Sequence, residues 1–324
     1  RLDVDEWCDK VEIAGAGFLN FYLSASAVEA ELRATTAGAN LFFKPSADPR
    51  TVVIDFSSPN VAKPMHVGHI RSTILGDSLA RVLRLLGHRV ITDNHIGDWG
   101  TQFGMLLLGW KTRLDETVLA VDPIAEMERL YKEINNDESL RDAARAELVK
   151  LQSGDEENQA LWQRMIGLSQ EQFDTVYQRL GVTFDYTLGE SFYNDQLSNV
   201  VAELNEMSIA EESEGAMVVM FPDDTKLKKQ PAIVRKSDGA ANYTTTDLAT
   251  LEHREREWTP DEILYITDGR QQLHFQQLFA IHRRWRPEVA SRLVHVWFGS
   301  ILGPDRKPFK TRSGEVVRLA ALLD

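Results

Sequence analysis

Thr51-Val52-Val53-Ile54-Asp55-Phe56 is a short run of apolar and β-branched residues, followed by Ser57 to Met65 with Pro59 and Pro64, and then by His66-Val67-Gly68-His69. The run suits a strand buried on both faces. The prolines keep the chain out of helix until after Met65, because proline lacks an N–H and restricts the residue before it. Ile70, Ile74, Leu75, Leu79, Val82, Leu83 and Leu86 then recur at steps of three and four, the spacing of an amphipathic helix, and Gly87 marks its end. Arg89-Val90-Ile91-Thr92-Asp93 supplies a second strand. Strand, helix and strand in succession make a βαβ unit with a right-handed crossover over a parallel sheet.

His66-Val67-Gly68-His69 falls between the strand and the helix, where free backbone N–H groups and the positive end of the helix dipole favour phosphate. Two imidazoles at this spacing share one side of the helix, and Gly68 lets a flat ring approach the backbone. The arrangement suits a nucleotide, although it has the glycine spacing of neither a dinucleotide fingerprint nor a P-loop. A plain helix start or half of a metal site fits the same string. Zinc is disfavoured, because no cysteine and no further His or carboxylate pair stands at ligand spacing.

Outward from this unit the texture changes. Residues 1–45 contain Val11-Glu12-Ile13 and Phe18 to Leu23 around Gly15 and Gly17, read as two short strands and a turn ending a preceding domain. Residues 46–120 read as the first half of a Rossmann-type domain, and 121–240 as an insertion. That insertion is helical and acidic, with a long helix through Leu161, Met165, Leu168, Phe173, Val176 and Leu180 that Gly181 can cap. Met217 to Phe221, Ile233-Val234 and Tyr243-Thr244-Thr245 read as short strands. The sheet resumes in 241–324 with Ile263 to Thr267, a helix from Gln272 to Trp285, a strand from Leu293 to Phe298, and a basic loop from Gly303 to Gly314. The expected fold is α/β: a parallel nucleotide-binding sheet, a mainly helical insertion and a small N-terminal remnant.

Composition narrows the function classes. Among 324 residues, 36 basic and 49 acidic side chains give a net charge of −13, which argues against nonspecific coating of nucleic acid but leaves room for a local basic strip. No run approaches the roughly 18 apolar residues of a membrane span. The single cysteine, Cys8, allows no intrachain disulfide and no thiolate zinc site, so a reducing compartment, the cytoplasm by default, is expected. A start at Arg1 and an end at Asp324, just after the basic loop, suggest a piece of a longer chain.

Asp55-Phe56-Ser57-Ser58-Pro59-Asn60-Val61-Ala62-Lys63-Pro64-Met65-His66-Val67-Gly68-His69-Ile70-Arg71-Ser72-Thr73 closely resembles the first signature of the arginyl-tRNA synthetases, class I enzymes with the HIGH motif. Asn94 to Gly104, Tyr243 to Asp247 and Lys307 to Gly314 resemble the same family, in the same order. The resemblance implies that arginine's carboxylate attacks the α-phosphate of ATP, giving arginyl-adenylate and pyrophosphate, and that the arginyl group then passes to the terminal adenosine of tRNA(Arg). It implies ATP with Mg2+ as its companion, no metal held by the protein alone, a monomer, and a C-terminal anticodon-reading domain absent from this stretch. Weak tRNA binding by the stretch alone follows, and its independent activity is left open.

Carried over by position, the resemblance makes His66, His69, Lys63, Lys310 and Arg312 the catalytic candidates, with Gly68 and His274 beside ATP. Arg312 takes the place of the second lysine of a KMSKS sequence, and Lys63 would supply a compensating charge. A guanidinium is a planar fork of donors that carboxylates meet with paired bonds. Asp55 and Asp247 are therefore placed against arginine, with Ser57, Asn60, Tyr243 and Gln271 around it. Ordinary roles compete: Asp247 as the N-cap of a helix over 248–257, Asp55 as a strand-end carboxylate satisfied by loop amides, and Asp98, Trp99 and Gln102 as loop satisfaction and packing.

Overall fold

The computed structural model describes residues 3–38 and 44–299, together with Leu319 and Leu323. An N-terminal hairpin, β1 (Cys8–Ala14) and β2 (Phe18–Leu23), turns at Gly15 and Gly17, both at positive φ, and leads to α1 (Ala25–Thr36). The βαβ unit follows as β3 (Thr51–Phe56), α2 (Val67–Leu85) and β4 (Arg89–Asp93). Then come α3 (Gln102–Arg113), α4 (Glu116–Val121), α5 (Pro123–Asn136), α6 (Arg141–Gln152), α7 (Glu156–Leu180) and α8 (Leu197–Glu206). A small antiparallel sheet joins β5 (Glu211–Ser213), β6 (Ala216–Val219) and β7 (Ala232–Arg235). The chain returns through α9 (Tyr243–Trp258), β8 (Glu262–Asp268), α10 (Gln272–Trp285) and β9 (Arg292–Phe298).

The main sheet has the order β4-β3-β8-β9, every neighbouring pair parallel. Its alternating side chains feed two cores, as a parallel sheet covered on both faces requires. Val52, Ile54, Phe56, Leu264 and Ile266 pack with Phe173, Val176 and Tyr177 of α7. Val53, Ile263 and Tyr265 face Leu248 and Leu251 of α9 and Leu278 and Ile281 of α10. A third core joins Phe103 and Leu107 of α3 to Met127 and Leu130 of α5 and Met165 of α7. The α2 helix lies so close on β3 that a Cβ at Gly76 would come 2.1 Å from the Phe56 ring. Sequence order reverses between β3 and β8, so the crevice beyond their C-terminal ends is the place where open α/β sheets bind ligands. Among the described residues, no helix is long and apolar enough to cross a membrane.

One expected strand is corrected. Tyr243-Thr244-Thr245 forms the first turn of α9, because Asn242 in extended conformation caps it, its side chain accepting from Tyr243 N at 3.0 Å, while the Thr245 hydroxyl donates to the Val234 carbonyl at 2.5 Å. These contacts outweigh the β preference of the threonines. The same start places Asp247 inside the helix, which removes its alternative role as an N-cap.

Candidate active site

The loop leaving β3 is held in a form its residues disfavour. Ser57, Ser58 and Ala62 all have left-handed backbone, with φ of 72°, 46° and 60°, at a cost on the order of 1 kcal/mol or more each. Hydrogen bonds fix it from several sides. Ser57 N donates to Ser72 Oγ at 2.8 Å, Ser58 N to Asn94 Oδ1 at 3.0 Å and Ala62 N to Ser169 Oγ at 3.0 Å. Val61 N and Gly97 N donate to the carbonyls of Gly97 and Pro59, each at 3.0 Å, closing this loop onto the one that follows β4. A Cβ at Gly97 would come 2.2 Å from Asn60 Oδ1.

The loop delivers His66 as the N-cap of α2. His66 Nδ1 accepts from Gly68 N at 3.1 Å, and His69 Nδ1 accepts from His66 N at 3.0 Å. The two rings stack with centroids 3.9 Å apart. A neutral imidazole that accepts at Nδ1 carries its proton on Nε2, so each ring keeps an N–H to donate. Burial, with the charge of Arg270 adding to it, lowers the pKa of His66. Burial and the neighbouring His66 bring that of His69 down to about 3. Both rings are thus neutral donors at the opening turn of a helix. Gly68 is required by the ring itself, since a Cβ there would come 2.8 Å from His66 Cε1.

A second group of side chains is rich in acceptors. Asp247 Oδ2 lies 2.5 Å from His274 Nε2, which donates to it, and His274 Nδ1 is buried without a hydrogen-bond partner. His95 Nδ1 donates to the Leu188 carbonyl at 2.9 Å. Its Nε2 is therefore a lone pair in the neutral ring; it is buried without a hydrogen bond, 4.0 Å from Asp247 Oδ1. Glu190 adds a carboxylate in the field of His95, Asp247 and Asp98, and burial pushes it up to about 7. Asp98 positions Glu190 by accepting from Ser191 N at 2.8 Å and Ser191 Oγ at 2.6 Å. Tyr243 is exposed and stands edge-on to His274, centroids 4.8 Å apart. Glu190 was not anticipated from sequence.

Asp55 and Ser57 are buried and engaged from within the fold. Asp55 Oδ2 accepts from Arg254 Nη2 at 2.6 Å and its Oδ1 from Ser58 Oγ at 2.9 Å. Ser57 Oγ lies 2.8 Å from the Tyr177 hydroxyl and 2.9 Å from Thr73 Oγ1. Asn60 is exposed in the loop after β3, and Gln271 is exposed at the start of α10. Lys63 is exposed, its ammonium 5.5 Å from the centre of the Tyr131 ring in α5. Lys310 and Arg312 lie outside the described residues. Asp98 and Trp162 give the loop after β4 its ordinary satisfaction, Trp162 Nε1 donating to the Asp98 carbonyl at 2.8 Å, and Trp99 packs edge-on against Trp162.

The family model described as "tRNA synthetases class I (R), catalytic domain" matches residues 33–324. The chain belongs to the class I arginyl-tRNA synthetases. It is 44% identical over 322 residues to an arginine-tRNA ligase of Fusobacterium nucleatum, covering 98% of this chain and 55% of that protein. It is also 44% identical to one of Hahella chejuensis, covering 99% and 57%. The chain thus spans little more than half the length of these curated relatives. The arginyl-tRNA synthetase structure from Plasmodium falciparum aligns with a TM-score of 0.66 at 30% identity, over 91% of this chain and 52% of that one. The Thermus thermophilus arginyl-tRNA synthetase aligns at 0.70 and 23% identity over 98% and 58%, a likeness of fold. The α/β class read from the sequence is that of this synthetase family.

Proposed function

We propose that this domain activates arginine with ATP, forming arginyl-adenylate and pyrophosphate, and then passes the arginyl group to tRNA(Arg). The observation that carries the reading is a pair of carboxyl groups, Asp247 and Glu190, beside two buried ring nitrogens without hydrogen-bond partners, His95 Nε2 and His274 Nδ1. A guanidinium is a cation with five N–H donors and no acceptor, the complement of such a cluster. Glu190 and Asp247 take the acidic roles, and Asp55 is reassigned to an internal partner. Tyr243 flanks the guanidinium, and Asn60 and Gln271 hold the polar end of the amino acid.

In the first step an arginine carboxylate oxygen forms a bond to the α-phosphorus as the bond to the bridging oxygen breaks and pyrophosphate departs. No proton must move, so positioning and charge stabilisation carry the step. The Nε2–H groups of His66 and His69 donate to phosphate oxygens as charge develops, beside Gly68. Arg270, whose field reaches His66, joins Lys63, Lys310 and Arg312 as a source of positive charge. Among the described residues no group of three or more His, Cys, Asp or Glu side chains could hold a metal ion. We assign magnesium to the ATP phosphates, and no step to a protein-held metal. The tRNA contacts are assigned mainly to domains outside this stretch, the protein to the monomeric state, and its work to the cytoplasm.

Arginine-dependent ATP–pyrophosphate exchange, measured with tRNA present, tests the reading. Exchange with another amino acid and none with arginine would instead assign a related nucleotidyltransferase, and no exchange at all a noncatalytic relative. His66→Ala is expected to slow exchange by about 10²- to 10³-fold, the usual effect of removing one preorganised donor. A rate near that of the wild type would remove His66 from the phosphate site.

A further inference from the structure

We infer that the helical insertion acts on the chemistry through α7, with Tyr177 and Ser169 as positioning residues that hold the left-handed backbone of the loop after β3 in its phosphate-binding form. The inference rests on the adenylation reading and adds to it a part of the machinery that touches neither substrate. Ser57, Ser58 and Ala62 have side chains that do not favour φ of 72°, 46° and 60°, so the conformation persists only where the surroundings over-determine it. Beside the bonds from α2 and from the loop after β4, α7 supplies a share of these surroundings. The Tyr177 hydroxyl lies 2.8 Å from Ser57 Oγ and accepts from Asn94 Nδ2 at 3.2 Å, while Asn94 Oδ1 accepts from Ser58 N. Ser169 Oγ accepts from Ala62 N at 3.0 Å. Each of the three left-handed residues is thus tied to α7, directly or through Asn94.

Spacing along the helix makes this one device. Trp162, Ser169 and Tyr177 are seven and eight residues apart, about two turns each, and share one stripe of α7. Trp162 holds the Asp98 carbonyl, and the Asp98 side chain caps the turn that carries Glu190. Ser169 and Tyr177 are 0% and 4% exposed, so water offers the loop no substitute. Burial pushes the Tyr177 hydroxyl up to about 12, so it stays protonated beside Ser57. A shift of α7 against the sheet would relax the loop that presents His66.

Tyr177→Phe removes only the hydroxyl. In the intact protein, assayed with tRNA, kcat for arginine-dependent exchange is expected to fall about tenfold or more, while KM for arginine and for ATP stays within about twofold. Ser169→Ala is expected to show the same split, and it decides the matter alone should the phenylalanine variant not fold. The double variant should lose less than the product of the two, because both act on one loop. Thr175→Ala, on the exposed side of α7, should leave all three constants unchanged. Folded Tyr177→Phe and Ser169→Ala proteins with wild-type kcat would overturn the inference, as would a loss confined to KM. A wild-type protein without arginine-dependent exchange would instead bring down the adenylation reading beneath it.

Discussion

Replacing Arg254 with leucine is expected to destabilise the fold by about 3–5 kcal/mol, the usual cost of removing one partner from a buried ionic cluster. The Arg254 side chain is 0% exposed. Its Nη2 donates to Asp55 Oδ2 at 2.6 Å and to Asp93 Oδ2 at 2.8 Å, and its Nε reaches Asp93 Oδ2 at 3.1 Å. Burial opposes the charge, but Asp55 and Asp93 outweigh it and hold the guanidinium firmly ionised. Leucine would leave two buried carboxylates at the ends of β3 and β4 without a counter-charge. Arg254→Lys should recover only part of the loss, because an ammonium cannot present a planar fork to two partners. Denaturant unfolding of both variants checks this, and a leucine protein within about 1 kcal/mol of the wild type would show the cluster to be dispensable. The consequence extends to substrate, since Asp247 lies seven residues earlier on the same helix. Loosening α9 at Arg254 is therefore expected to weaken arginine binding as well.

Arg254 also shows where sequence reading stops. The βαβ unit was legible because its signals are local: a β-branched run, two prolines, a helical spacing and a glycine stop. The opening of α2 at His66 was legible for the same reason, as was Gly181, which caps α7 at φ 66°. Asp55 has a partner 199 residues away, and nothing around Asp55 distinguishes a carboxylate reserved for a substrate guanidinium from one occupied by an internal guanidinium. Glu190 lies in a stretch without periodicity and gains its setting only when Asp98, 93 residues from Ser191, caps its turn. Tyr243-Thr244-Thr245 misled in the opposite direction, because local β preference yielded to a cap at Asn242 and a bond to Val234. Local structure was thus readable, whereas contacts between distant segments were not.

Asp247→Asn is expected to raise the arginine needed for half-maximal exchange by about a hundredfold or more. Truncating one side of a buried, hydrogen-bonded charge pair costs about 2–5 kcal/mol, and an asparagine amide turns a donor toward a ligand that offers only donors. Glu190 makes the same site sensitive to pH. Burial raises its pKa to about 7 in the free protein, above the ordinary value of a glutamate. Between those two values the folded state binds more protons than the unfolded chain, so this residue's contribution to stability falls as pH rises toward 7. A bound guanidinium favours the ionised carboxylate and reverses the balance. Arginine should therefore bind more tightly at pH 8 than at pH 6, release a fraction of a proton near pH 7, and raise the melting temperature more at the higher pH. The groups facing Glu190 oppose one another, Asp247 and Asp98 adding to the rise in its pKa and His95 working against it. Glu190→Gln should flatten most of this profile while weakening binding at pH 8. A wild-type arginine affinity unchanged from pH 6 to pH 8 would mean that no carboxyl group ionises on binding, and the guanidinium would then have to be recognised by Asp247 without Glu190.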